Sequence, residues 1–145
     1  MKRRLTNSVA LLAGFLVVCA PLLAHHGSSV TYNMKKAITL KGTVAEFVYT
    51  NPHCQLYFDV KDNAGNTVRW GGETMAPRLV VKAGLLKSTL KPGDAITISV
   101  FPAKAGTNFG LIQTLTLPNG QTLSLISPED AASRGEIGSQ NEYGK

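Results

Sequence analysis

Over residues 38–60 apolar and polar residues alternate almost without interruption, and this pattern limits the possible folds more than any total does. Ile38, Leu40, Gly42 and Val44 take one side, and Thr39, Lys41 and Thr43 take the other. The phase then slips at Ala45-Glu46, so that Phe47 and Tyr49 become the large residues. A period of two marks a strand with one buried face, and a one-residue slip marks a bulge. A long first strand bent by a bulge is what closure of a small barrel needs. Asn51-Pro52 ends it, and over residues 53–60 Cys54, Leu56, Phe58 and Val60 alternate with His53, Gln55, Tyr57 and Asp59. The turn Asp62-Asn63-Ala64-Gly65-Asn66, with Gly65 suited to positive φ, predicts a hairpin to a third strand over residues 67–73.

At residues 75–84 the period changes. Met75, Leu79, Val80 and Ala83 share a helical face, Thr74 is the predicted N-cap, Pro77 fits the first turn and Gly84 ends the helix. Strands are then expected over residues 95–101, 111–117 and 121–126, separated by the Leu90-Lys91-Pro92-Gly93-Asp94 and Pro118-Asn119-Gly120 turns and a glycine-containing loop over residues 103–110. The expected fold is mainly β. Three strands, a helix, then two or three strands is the order of an OB-like Greek-key barrel of five to six strands with one short helix at its end. A β-sandwich uses the same strands in other pairings, and spacing alone leaves both open.

The two ends of the chain fall outside this pattern. Residues 1–24 place Lys2, Arg3 and Arg4 before an apolar run too short to span a bilayer comfortably, and are expected to be a signal peptide. Cleavage is expected after Ala24; after Ala20 it would leave Pro21 beside the cut, and Leu16-Val17-Val18-Cys19 makes only a weak lipobox. The expected location is periplasmic or secreted, with no membrane contact once the leader is gone. Residues 127–145 are rich in Gly, Ser and acidic groups and are expected to form a flexible polar tail, leaving residues 25–126 as the β domain.

Cleavage changes the charge argument. The whole chain is +6, but without the leader 12 Lys and Arg face 9 Asp and Glu. That +3, with no Lys/Arg cluster interleaved with aromatics, argues against nucleic acid. Cys19 leaves as well, so Cys54 has no internal disulfide partner and is expected to be a small buried hydrophobe. No phosphate-cradling glycine loop, nucleophile elbow or suggestive carboxylate pair is present. No catalytic residue is identified, and the expected protein is not an enzyme.

The chemistry-bearing residues are the three histidines. After cleavage His25 becomes the amino terminus, where its α-amine and imidazole Nδ1 can chelate one metal ion. Completed by an imidazole from His26 or His53, this gives the nitrogen-rich set that Cu(II) prefers, with zinc as the other candidate. Against this stands the reading of two exposed histidines on a frayed terminus. His53, in Asn51-Pro52-His53, is expected to point away from the core face, towards solvent or a covering N-terminal arm. Glu73, at the end of the third strand, can ligate a metal, orient a histidine, or only favour the adjacent helix dipole. The alternative function is a binding module for a small non-metal envelope ligand or partner, using Gln55, Tyr57, Arg69 and Trp70. Trp70 is also a core candidate through its area, whereas Arg69 and Lys104 are otherwise expected to be solvated charges.

With these residues in view, the chain resembles a family of small exported bacterial proteins of unknown function. The resemblance rests on His25-His26, Asn51-Pro52-His53, Trp70 with Glu73, Pro77 and Leu79, Leu90-Lys91-Pro92-Gly93-Asp94 and Pro102-Ala103-Lys104-Ala105-Gly106. It covers about residues 25–125 and implies an exported β domain. It lends no catalytic residue, so the metal site rests on position and chemistry.

Overall fold

The alternating segments become strands and the phase slip becomes a bulge. A computed structural model describes residues 28–133 of the chain. In chain order the elements are α1 (Ser28–Thr31), β1 (Ile38–Val48), β2 (Gln55–Lys61), β3 (Thr67–Glu73), α2 (Pro77–Lys82), β4 (Ala95–Pro102), β5 (Phe109–Thr116), β6 (Thr122–Ser124) and α3 (Pro128–Ser133). β1 pairs with β2 and with β4, both antiparallel, and its register against β2 shifts between Val44 and Glu46, at the expected slip. Gly65 turns the β2–β3 hairpin at φ 83°.

The pairing that separates barrel from sandwich is β3 with β5. It is parallel, matching Gly71 to Phe109, Gly72 to Gly110 and Glu73 to Leu111, and it closes β1-β2-β3-β5-β4 into a five-stranded barrel. β6 is an extra strand paired with residues 114–116 of β5. The architecture is therefore the OB-like barrel. Its seam needs small residues, because a Cβ on Gly72 would lie 2.6 Å from Ile112 Cγ1.

The inner face carries the core. Leu56, Phe58, Ile98, Val100, Ile112 and Leu115 are fully buried, joined by Val80 and Leu85 from the α2 region. Cys54 is a free, fully buried thiol, as expected, and burial pushes its pKa up. α2 is shorter than the sequence pattern suggests. Its N-cap is Ala76, with no side-chain cap, and not Thr74. The Thr74 hydroxyl is buried and lies 3.3 Å from both the Cys54 and Met75 carbonyl oxygens, so it serves the β2–β3 junction instead. Gly84, at φ 95°, does end the helix. The Leu85 N–H donates to the Val80 carbonyl and the Gly84 N–H to the Val81 carbonyl, the paired bonds of a Schellman cap.

A second cluster lies on the other face of the same wall. Phe101 and Leu111 are cross-strand partners whose neighbours Val100 and Ile112 belong to the inner core. The adjacent pairs Val100-Phe101 and Leu111-Ile112 break the alternation because this stretch is buried on both sides. The cover is the chain before β1: Tyr32 and Met34 are buried against Phe101 and Leu111, with Phe109 and Ile126 packed alongside. This N-terminal arm is pinned by a Tyr32–Ala103 bridge and by backbone bonds from Asn33 N–H to the Pro102 carbonyl and from Lys104 N–H to the Thr31 carbonyl.

α3 begins inside the stretch expected to be a flexible tail. Ser127 Oγ accepts from the Asp130 N–H and donates to Asp130 Oδ2, with Pro128 in the first turn. Ser127-Pro128-Glu129-Asp130 is thus a capped helix start, a signal that composition concealed. Among the described residues no helix is long and apolar enough to cross a membrane.

Candidate functional site

The site is built where β2 begins and β3 ends. Beyond the last ladder pair, Gln55 with Glu73, the two strands stay tied: Cys54 N–H donates to the Met75 carbonyl and Thr74 N–H to the Cys54 carbonyl. These bonds and the burial of Cys54 fix the backbone on both sides, so His53 and Glu73, which alternate away from the core, come together on the outside. Their Nδ1 and Oε1 atoms are 4.0 Å apart, with the His53 side chain 51% exposed and that of Glu73 25% exposed. That exceeds a hydrogen bond. It is within reach of a shared ion, since two ligands trans on one metal with bonds of about 2.0 Å are separated by twice that length.

Glu73 is held from its other side by the arm. The Tyr32 phenol hydrogen-bonds its carboxylate, and burial, the Glu73 charge, this bond and Asp130 together hold the phenol well above the ordinary tyrosine range. Lys104, expected to be a solvated charge, instead clamps the arm: its Nζ donates to the Ser29 carbonyl at 2.6 Å while its backbone N–H holds Thr31. Arm, barrel rim and α3 enclose an open cleft of about 590 Å³. Ser28, Ser29, His53, Glu73, Glu129 and Asp130 supply polar groups to its lining, over an apolar floor that includes Met75, Leu79, Leu111 and Leu125. Sequence periodicity missed Tyr32, Lys104 and Asp130. Lys104 lay in a motif already noted, and Asp130 in an unnoticed capping pattern.

His25 and His26 lie outside the described residues. Of the four expected metal ligands, the structure brings His53 and Glu73 together. The expected non-metal ligand set divides between two faces. Gln55 and Tyr57 point outward, with the Tyr57 hydroxyl on Gln55 Oε1 at 2.7 Å. Arg69 shares that face, exposed as expected, and its Nε and Nη2 donate to Asp59 at 2.6 and 3.2 Å, so it is a solvated cation with a surface partner. Trp70, the next residue along β3, packs half-buried against the inner core and stands apart from the other three.

Among the described residues no group of three or more His, Cys, Asp or Glu side chains is placed to hold a metal ion. His53 and Glu73 are two adjacent potential donors, fewer than such a group requires. No curated protein matches the chain. The model of a family of unknown function, DUF6152, matches residues 14–113, and the chain belongs to that family.

Proposed function

We propose that this is an exported, non-enzymatic metal-binding domain, for copper before zinc, in which His53 and Glu73 on the barrel meet His25 and His26 carried by the N-terminal arm. The observation that carries the reading is that His53 and Glu73 adjoin at the rim of the cleft into which the arm delivers Ser28. With 3.8 Å between successive Cα atoms, the His26 and His25 Cα atoms lie within about 8 and 11 Å of that of Ser28. Glu73, Glu129 and Asp130 give the cleft a negative lining in a domain otherwise rich in Lys and Arg, which favours a cation. An α-amine, imidazoles and a carboxylate suit Cu(II), while the buried Cys54 offers no thiolate for Cu(I).

Mass spectrometry of the exported protein and Cu(II) titration followed by EPR test this. The expected results are a terminus at His25, one ion bound through nitrogen donors, and a loss of at least about tenfold in affinity for His25→Ala and for His53→Ala. A different terminus, or affinity unchanged in both variants, refutes it. A second reading has its own observation. A Cβ on Gly71 would lie 2.6 Å from the Phe109 ring and 3.0 Å from that of Tyr57, so this glycine lets the two rings close over it as an aromatic surface on the outer face. Indifference to both Cu(II) and Zn(II) would favour that face as a seat for a small envelope ligand.

A further inference from the structure

Residues 74–93 contain Arg78, Lys82, Lys87 and Lys91 and no Asp or Glu. All four cations are exposed, and among the described residues none of them makes an ion pair. The nearest acid in sequence, Asp94, directs its Oδ2 at the Lys91 backbone N–H, 2.8 Å away, and not at a side-chain ammonium. Two of the three exposed large hydrophobic residues of the described chain, Val81 at 42% and Leu86 at 51%, lie within this segment. The Schellman cap relates them. It joins Val80 to Leu85, both fully buried, so the next residue on each limb, Val81 and Leu86, flanks the outside of the turn. Each exposed aliphatic residue is followed directly by an exposed lysine, Lys82 and Lys87, with Arg78 three residues before Val81 on the same helix and Lys91 later in the segment.

We infer that this segment docks onto the surface of an anionic lipid bilayer, with Val81 and Leu86 entering the headgroup boundary and Arg78, Lys82, Lys87 and Lys91 meeting lipid phosphates. The charge complementarity is direct, and each cation near an anionic membrane adds about fivefold to binding. Aliphatic side chains among cations suit the boundary between headgroups and acyl chains. A single-stranded nucleic-acid surface would need aromatic rings for stacking, and the patch has none. Averaging charge over the whole domain conceals this concentration, which is why the sequence alone predicts no membrane contact. The inference is independent of the metal reading.

The chain as purified after export serves for the test. Sedimentation with vesicles of phosphatidylcholine alone, or mixed with phosphatidylglycerol, reads the binding. The expected result is binding only to the mixed vesicles, weakened by salt and reduced at least about 25-fold in Lys82→Glu/Lys87→Glu. Leu86→Ser is expected to weaken it with no change in charge. Lys35→Glu/Lys36→Glu makes the same change in net charge before β1, outside the 74–93 segment, and is expected to cost less than about threefold. Circular dichroism confirms that each variant is folded. Equal losses in the two double variants, equal binding to neutral vesicles, no vesicle binding at low salt, or capture of a DNA duplex instead of vesicles each overturns the inference.

Discussion

Gly110→Ala tests the barrel seam, on which the placement of Glu73 depends. Gly110 is buried where three strands meet, opposite Pro102 of β4 and Gly72 of β3. A Cβ there would lie 2.7 Å from the Phe101 carbonyl oxygen, 3.2 Å from that carbonyl carbon and 3.3 Å from Val100 Cβ. Favourable carbon contacts begin near 3.5 Å, so the β4 backbone must move by about 0.5 Å or more. Moving backbone costs more than turning a side chain, and overpacking of this kind destabilises by about 1–3 kcal/mol. The expected loss is about 3 kcal/mol, at the top of that range. Gly120→Ala is the comparator: its φ is 86° and nothing lies within 4 Å of the new Cβ, so only conformational strain of about 1 kcal/mol applies. At a urea dependence of about 1.5 kcal/mol per molar, the unfolding midpoint should fall by about 2 M in the first variant and by less than about 1 M in the second. A Gly110→Ala midpoint equal to or above that of Gly120→Ala, with unchanged slope, refutes the close approach of β4 and β5.

Three further outcomes are expected. The Arg69 guanidinium beside Asp59 holds that carboxyl below the usual carboxylate range; its contribution is present above the unfolded pKa and lost as pH falls through the folded one. Urea midpoints between pH 2 and about 5 should therefore depend less steeply on pH in Asp59→Asn, and high salt should shrink the difference. Tyr32 is shifted the other way, so its contribution is complete below pH of about 10 and lost as pH rises through the higher folded value. Ultraviolet titration of the metal-free chain should show a tyrosine step above the ordinary range, and Tyr32→Phe should abolish that late step. Lys104→Met removes the 2.6 Å bond to the Ser29 carbonyl at an exposed position. Stability should change by less than about 1 kcal/mol, while Cu(II) affinity, read by EPR, should fall several-fold as the arm loosens.

The barrel was legible because its first three strands are buried on one face only. Alternation located β1, its bulge and β3, and Gly65 and Gly84 marked a turn and a helix end by the φ they adopt. The wall at Val100-Phe101 and Leu111-Ile112 was harder to interpret, since burial on both faces erases the period that distinguishes inside from outside. Without that clue the arm has no visible docking surface, and Tyr32 and Lys104 look like an isolated aromatic and a solvated cation. The His53–Glu73 contact was half legible. Parity along each strand placed both residues away from the core, but only the bonds from Cys54 to Thr74 and Met75 bring them to the same rim.

The interior of the closed barrel holds buried side chains such as Phe58, Leu56 and Ile98, whereas the cleft that carries His53 and Glu73 lies at its rim. A convex wall makes a poor site until something roofs it. Here the arm and α3 do so, the first anchored by Tyr32 and Lys104, the second begun by the Ser127–Asp130 cap. The same arm leads back within a few residues to His25. Under the proposed function this links processing to binding: while a residue precedes His25 its nitrogen is an amide and a poor donor, and cleavage after Ala24 turns it into an amine beside its own imidazole. The site would then become complete only on the exported chain, where His53 and Glu73 already stand at the rim of the cleft.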